Sequence, residues 1–242
     1  MAKEALILAG GFGTRLKSIV NEIPKPMALI KDLPFLSYLL EQLHKYKFDK
    51  IILAAGYKSE VIESYFGTSY KSIKLVYSVE DKPLGTGGAI SKAMGLIQSD
   101  YCIILNGDTF FEVDLEDMEK MFRQSNSGLM VALKLMVNFD RYGAVVIGSK
   151  KIVSFNEKKF CANGLINGGI YIVNKNWFEE KSIGEVFSFE KDILEKLVSK
   201  DKITYYISEG YFIDIGVPED YIRASEELPY FYPLNPPDGG LV

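Results

Sequence analysis

Ala5-Leu6-Ile7-Leu8-Ala9-Gly10-Gly11-Phe12-Gly13-Thr14-Arg15-Leu16 passes from five consecutive apolar residues into three glycines within four positions. A short, continuous apolar run reads as a strand buried on both faces, the habit of a parallel sheet covered by helices. The glycines end it in a loop where positive φ is free and no Cβ stands between backbone N–H groups and an anion. Arg15 adds a fork of donors matched to phosphate, and Lys25, before Pro26-Met27, adds a mobile point charge. Glycines after a strand also make a plain turn, so a phosphate cradle rests on the two cations that accompany them. A dinucleotide fingerprint would carry a third glycine where Leu16 stands, and a Walker A loop would carry Gly-Lys-Ser/Thr; neither is present.

Working outward, residues 35–43 place apolar side chains at helical spacing and read as a crossover helix, with His44 near its end in a charge or dipole contact. Residues 51–55 form a second buried strand, 60–66 a short helix, and 73–79 a third strand. The third strand runs into Glu80-Asp81-Lys82-Pro83-Leu84-Gly85-Thr86-Gly87-Gly88-Ala89 before a helix at 90–97. Glycines ahead of a helix N-terminus make either a turn or a seat for a flat base or a phosphate. Residues 101–105 form a fourth strand that delivers Asn106-Gly107-Asp108 to its carboxyl end, where open α/β sheets bind ligands. A carboxylate there meets a metal or caps the next helix. Asp114, Glu116, Asp117 and Glu119 read as a solvated acidic helix start.

The second half is less regular. Strands at 129–135, 143–147, 151–158 and 166–173 suggest antiparallel pairing with one wet face, and a polar turn holds Asp140-Arg141-Tyr142-Gly143. Ser188 caps a helix at 189–198 whose Ile193, Leu194 and Leu197 face the core. Strands at 203–208 and 211–213 follow, the second ending in Asp214, and Pro218 opens a final helix. The fold class expected is α/β: a Rossmann-like mixed, mainly parallel sheet flanked by helices. The rhythm suits one domain over 1–228 and a proline-rich tail over 229–242, with no internal repeat or low-complexity segment.

Composition narrows the function classes. A formal charge of −4 over 242 residues leaves no broad basic surface for nucleic acid, so an anion site must be built locally. No apolar run approaches the roughly 20 residues of a membrane span. Cys102 and Cys161 are the only cysteines, no Asn-x-Ser/Thr sequon occurs, and the amino terminus leads straight into a strand, so a cytoplasmic protein with free thiols is expected. One histidine and two separated cysteines disfavour structural zinc, and the same poverty leaves acid–base chemistry poorly supplied. Transfer of a phosphoryl or nucleotidyl group by positioning and charge neutralisation is well supplied.

Residues 8–16 with Lys25-Pro26-Met27 resemble the signature of the sugar-1-phosphate nucleotidyltransferases. Within that family Ile23-Pro24-Lys25-Pro26-Met27, Pro83-Leu84-Gly85-Thr86-Gly87-Gly88-Ala89 and Phe212-Ile213-Asp214-Ile215-Gly216-Val217-Pro218-Glu219-Asp220-Tyr221 are most similar to D-glycero-α-D-manno-heptose 1-phosphate guanylyltransferases. The resemblance spans the chain from the cradle to the final helix and implies a reaction of a nucleoside triphosphate, GTP foremost, with a sugar 1-phosphate, giving a nucleotide sugar and pyrophosphate with Mg²⁺ as cofactor. Products of this kind supply surface-glycan synthesis. The resemblance makes Arg15, Lys25 and Asp108 catalytic and Asp108 and Asp214 metal ligands. It implies nucleotide binding by Leu8, Ala9, Gly10, Gly11, Gly13 and Thr14, with Glu80, Gly85, Thr86 and Gly87 at the base. Gly143, Glu157, Lys158, Asn167 and Gly168 are implied at the sugar phosphate, although by residue type alone Glu157-Lys158 is a surface pair. The nucleotide part then occupies about 1–125 and the sugar part about 126–228.

Lys159-Phe160 stands where thymidylyl relatives frequently carry proline, which argues against glucose-1-phosphate thymidylyltransferase. Other pairings stay open, including mannose 1-phosphate with GTP and glucose 1-phosphate with dTTP, UTP or CTP. A regulatory subunit that binds nucleotide sugar without turnover is the alternative from another class. A dinucleotide oxidoreductase is disfavoured by Leu16 and by Ala54-Ala55-Gly56, which lacks the acidic residue such a site requires. Homo-oligomerisation stays open.

Overall fold

The computed structural model describes residues 3–11, 23–181 and 183–234, so Gly13, Thr14 and Arg15 lie outside the described residues. β1 (Glu4–Leu8) sends Ala5 and Ile7 to one hydrophobic cluster and Leu6 to the other, as a strand covered on both faces must. A small hairpin of β2 (Leu29–Ile30) and β3 (Leu33–Pro34) leads into α1 (Phe35–Lys45), followed by β4 (Lys50–Ala55) and α2 (Ser59–Phe66). Then come β5 (Ser69–Tyr70), β6 (Ile73–Val79), α3 (Gly85–Met94) and β7 (Tyr101–Asn106). The chain continues through β8 (Thr109–Phe111), α4 (Leu115–Ser125), β9 (Leu129–Phe139), β10 (Gly143–Ile147), β11 (Ile152–Lys158) and β12 (Cys161–Asn174). After α5 (Lys175–Glu179) and a π-helical stretch over Phe189–Glu195 it closes with β13 (Ile203–Ser208), β14 (Phe212–Asp214) and α6 (Pro218–Phe231).

β7, β1, β4 and β6 are parallel neighbours, so their carboxyl ends open on one edge. β12 runs antiparallel to β7 and joins β9 and the β10–β11 hairpin to the same sheet, and β13 pairs in parallel with β9. The sheet is thus mixed, with its parallel block at the centre and helices on both faces, the class the sequence predicts. Leu36, Leu39, Leu40 and Leu43 of α1 pack with Met118 of α4 and Leu228 of α6, while Ile90 and Ala93 of α3 pack with Phe189 and Ile193 on the other side. Among the described residues no helix is long and apolar enough to cross a membrane.

Three boundaries differ from the sequence reading. α3 begins at Gly85 rather than near residue 90, because the glycines pack inside its first turn. The helix after Ser188 opens as π-helix, the wider turn setting Phe189 and Leu194 inward together. α6 runs past Pro229 to Phe231, so the tail starts later than 229. Burial of Leu228 and the tilted contact of Tyr232 with Phe110, 4.7 Å between ring centres, hold this last turn despite the proline.

Glu4 is 3% exposed within β1. Burial pushes its carboxyl up, but Lys50, Ser99 and Gln98 donate to it and hold it below the usual carboxylate range. A depressed folded pKa contributes stability above the unfolded value, near 4.3, and loses it as pH falls through the folded one. Glu4→Gln is therefore expected to cost about 1–3 kcal/mol at pH 7 in urea unfolding. The gap to wild type narrows as pH falls below about 4 and through the folded value; a gap that does not narrow with falling pH contradicts the assignment.

Candidate active site

The carboxyl ends of β1, β4, β6 and β7 surround a cleft of about 640 Å³. Leu8, Gly10 and Gly11 form one wall, Asn106, Gly107 and Asp108 another, and Glu80, Gly85 and Thr86 a third. This is the strand-end crevice in which open α/β sheets hold ligands. Ala9, fully buried behind it, donates its N–H to Ala54 O at 2.7 Å, and Gly107 N donates to Leu8 O at 3.0 Å, so the exits of β1, β4 and β7 are tied together. A Cβ on Gly107 would stand 2.3 Å from Leu8 O, whereas one on Gly11 meets nothing within 4 Å among the described residues. Gly107 therefore serves close backbone approach.

The loop after β6 is built differently from a bare turn. Glu80 Oε2 accepts Leu84 N at 2.9 Å and holds the approach to α3. Gly85 has φ +71°, and a Cβ there would lie 2.5 Å from Phe187 O. Gly87 N donates to that same carbonyl at 3.0 Å, and its Cα lies against the Phe187 ring. Gly87 thus sits behind the cleft with its N–H occupied, while Gly85 and Thr86 line it. Thr86 Oγ1 donates to Glu190 Oε2 at 2.6 Å and accepts Phe189 N at 2.9 Å. Glu190 enters the cleft wall from the π-helical stretch, a residue the sequence reading left in an ordinary helix. No local pattern marks its place in the cleft, since the contact that ties it to the α3 turn spans 104 residues.

Asp108 follows β7, and Asp214 ends β14. β14 pairs antiparallel with β8, setting Asp214 opposite Thr109, and Ile215 N donates to Asp108 O at 2.9 Å. This ladder brings the two carboxylates to Lys25, whose Nζ lies 2.5 Å from Asp108 Oδ2 and 4.0 Å from Asp214 Oδ1. Lys25 is 9% exposed, held on the short 3₁₀ turn Lys25–Met27 that follows Pro24. Burial, and then the charge of Asp108, push the Asp214 carboxyl up to about 6 against the pull of Lys25 and of Gly216 N.

Among the described residues, two converging carboxylates with a single ammonium between them leave excess negative charge, which fits a divalent cation. Among the described residues no cluster of three or more His, Cys, Asp or Glu side chains could enclose a metal. Asp108 and Asp214 alone suit Mg²⁺, which takes one or two protein carboxylates and completes its shell with phosphate and water.

The residues expected at the sugar phosphate do not line this cleft. Gly143 faces Lys158 across the β10–β11 hairpin, where a Cβ would strike Asn156 O at 2.4 Å, and Glu157 and Lys158 are exposed on β11. Asn167 and Gly168 sit where the β12–β9 register shifts. Asn167 Nδ2 donates to Tyr171 OH at 2.9 Å, its Oδ1 accepts Gly169 N at 3.0 Å, and Gly168 packs on Phe111. Gly169, at φ +74°, lets Asn106 approach, so β12 reaches the cleft through Asn106.

A sequence model of the nucleotidyl transferase family matches residues 4–229. The D-glycero-alpha-D-manno-heptose 1-phosphate guanylyltransferase of Aneurinibacillus thermoaerophilus is 48% identical over 228 residues, covering 94% of this chain and 99% of that protein. The enzyme of the same name from Campylobacter jejuni is 48% identical over 219 residues, covering 90% and 96%. The crystal structure of HddC from Yersinia pseudotuberculosis has a TM-score of 0.83 at 38% identity over 93% of this chain and 99% of that one. HddC complexed with GMP-PN gives a TM-score of 0.82. The family match runs from the first residue of β1 into α6, taking in every strand end that builds the cleft, and the chain belongs to the nucleotidyl transferase family.

Proposed function

We propose that this chain is a guanylyltransferase that joins GTP and D-glycero-α-D-manno-heptose 1-phosphate, releasing pyrophosphate and GDP-heptose. The observation that carries the reading is the Asp108–Lys25–Asp214 group beside the glycine turn of β1, in a chain 48% identical to heptose 1-phosphate guanylyltransferases over nearly its whole length. A sugar 1-phosphate is already anionic near neutral pH, so its oxygen attacks the α-phosphorus without a general base. The new P–O bond forms as the bond to the β-phosphate oxygen breaks, and pyrophosphate departs with the electron pair.

The work left to the protein is alignment and charge neutralisation. Gly10, Gly11, Gly13 and Thr14 present backbone N–H groups to the triphosphate, and Arg15 steadies the departing pyrophosphate. Lys25 offsets charge that develops at the α-phosphate. Asp108 and Asp214 would hold Mg²⁺, which supplies Lewis-acid polarisation of the phosphoryl oxygens when bound. Glu80, Gly85 and Thr86 receive the base, and Gly143, Glu157, Lys158, Asn167 and Gly168 receive the sugar phosphate. On this reading about 1–125 binds nucleotide and about 126–228 binds sugar, in a cytosolic enzyme with free Cys102 and Cys161.

Pyrophosphate release across a matrix of nucleoside triphosphates and sugar 1-phosphates tests the proposal. GTP with the manno-heptose 1-phosphate is expected to give the highest kcat/KM, and EDTA is expected to abolish turnover until Mg²⁺ is restored. Preference for dTTP or UTP with glucose 1-phosphate would overturn the substrate pair. Tight nucleotide binding with no product from any pair would favour a regulatory subunit.

A further inference from the structure

The reaction described above gives no task to Glu190, a carboxylate of the cleft wall. Glu190 lines the cleft together with Gly85, Thr86 and Asn106. Thr86 Oγ1 and Ser188 Oγ both donate to its Oε2, at 2.6 and 2.9 Å. Among the described residues no donor reaches Oε1 and no cation pairs with the group. An uncompensated carboxylate in a cleft that takes up two phosphorylated substrates repels their anionic parts. It is compatible with the part of a substrate that is uncharged and carries O–H donors, namely a sugar ring.

The surroundings favour the same ligand. The Thr86 hydroxyl is used twice, as donor to Glu190 and as acceptor from Phe189 N, so at this turn the group left to meet a ligand is the carboxylate. Phe189, next to Glu190, packs edge-on against Tyr171 with ring centres 5.0 Å apart, and Tyr171 OH accepts from Asn167. Glu190 therefore stands where the nucleotide loop meets β12, the place at which a ribose and the incoming sugar would approach each other.

We propose that Glu190 Oε1 accepts a hydrogen bond from a ring hydroxyl of a substrate and selects for substrates that carry it. The inference rests on the function proposed above in taking the ring from GTP or from the sugar 1-phosphate. Glu190→Gln isolates the contact. The Thr86 and Ser188 hydroxyls continue to donate to the amide oxygen, which turns the NH₂ group into the position of Oε1 and replaces an acceptor by a donor.

Calorimetric titration of wild type and Glu190→Gln with GTP, 2′-deoxy-GTP and 3′-deoxy-GTP forms one arm, and titration with D-mannose 1-phosphate and its monodeoxy analogues forms the other. The variant is expected to bind one parent ligand about 10–100-fold more weakly, the loss of a charge-assisted hydrogen bond. It is expected to match wild type on the one analogue that lacks the contacted hydroxyl, at an unchanged melting temperature. The arm in which the difference vanishes identifies the ring. Equal losses on every analogue, a loss that follows a lowered melting temperature, or no loss at all would overturn the proposal and leave Glu190 as a tie between α3 and the π-helical stretch. Hydroxyl-dependent binding without turnover of any substrate pair would sink the transfer reaction and retain this contact.

Discussion

Lys25→Ala is expected to lower kcat by about 10²–10³-fold at saturating Mg²⁺, the scale of losing one preorganised electrostatic stabiliser. The side chain is almost fully buried, and its ammonium is the cation that lies between Asp108 and Asp214. Without it the two carboxylates lose the ammonium that lies between them, which is why the variant is also expected to lose stability. Removing one partner of a fully buried pair costs about 3–5 kcal/mol. Asp108 and Asp214 keep 37% and 28% of their side-chain surface, so solvent reduces that to about 1–2 kcal/mol. Asp108→Ala is expected to show a similar fall in kcat with less loss of stability, because it removes a negative charge from a crowded site. Single-turnover pyrophosphate release and urea unfolding read the two effects separately. Unchanged turnover in both variants would remove this group from the mechanism.

The second large effect belongs to Gly107. A methyl group there would stand 2.3 Å from Leu8 O and 3.2 Å from Pro26 Cγ, and neither a strand carbonyl nor a proline ring turns aside as a flexible side chain does. Gly107→Ala must therefore part the exits of β1 and β7, breaking the 3.0 Å bond from Gly107 N to Leu8 O. Overpacking of this kind costs about 1–3 kcal/mol, or a melting temperature lower by several degrees in a chain of this size, at about 2–4 °C per kcal/mol. The same displacement carries Asp108 away from Gly10, and misplacement by about 1 Å costs on the order of 10²-fold in kcat/KM. Gly11→Ala, whose added methyl meets nothing within 4 Å among the described residues, serves as the control for stability. Wild-type melting and turnover in Gly107→Ala would contradict the tight-packing account.

Local pattern carried much of the architecture. Continuous apolar runs announce β1, β4 and β7, and Ile73–Val79, Gly143–Ile147 and Ile203–Ser208 begin and end where sequence periodicity places them. Ser188 and Pro218 mark their helix starts through backbone chemistry that needs no distant partner. Where long-range packing intervenes, the local reading fails. Gly85, Gly87 and Gly88 look like a loop before a helix, yet they are the first turn of α3, kept free of side chains by the Phe187 segment. Pro229 looks like a helix end, yet Leu228 and Tyr232 hold the helix through it.

The same division runs through the site. That Gly10 and Gly11 follow a buried strand, that Asp108 and Asp214 each stand at a strand end, and that Lys25 is a cation near the first glycine turn are properties of short stretches, set by residue type and period. That Asp108, Lys25 and Asp214 meet is decided by the β8–β14 ladder. That Glu190 joins the cleft is decided by Thr86, 104 residues before it, and that Glu157 and Lys158 stand out on an exposed hairpin is decided by how β10 and β11 pair. Residue chemistry and periodicity act over a few positions and are legible in one dimension. Which charges share a cavity depends on strand order and register, which a linear reading does not contain.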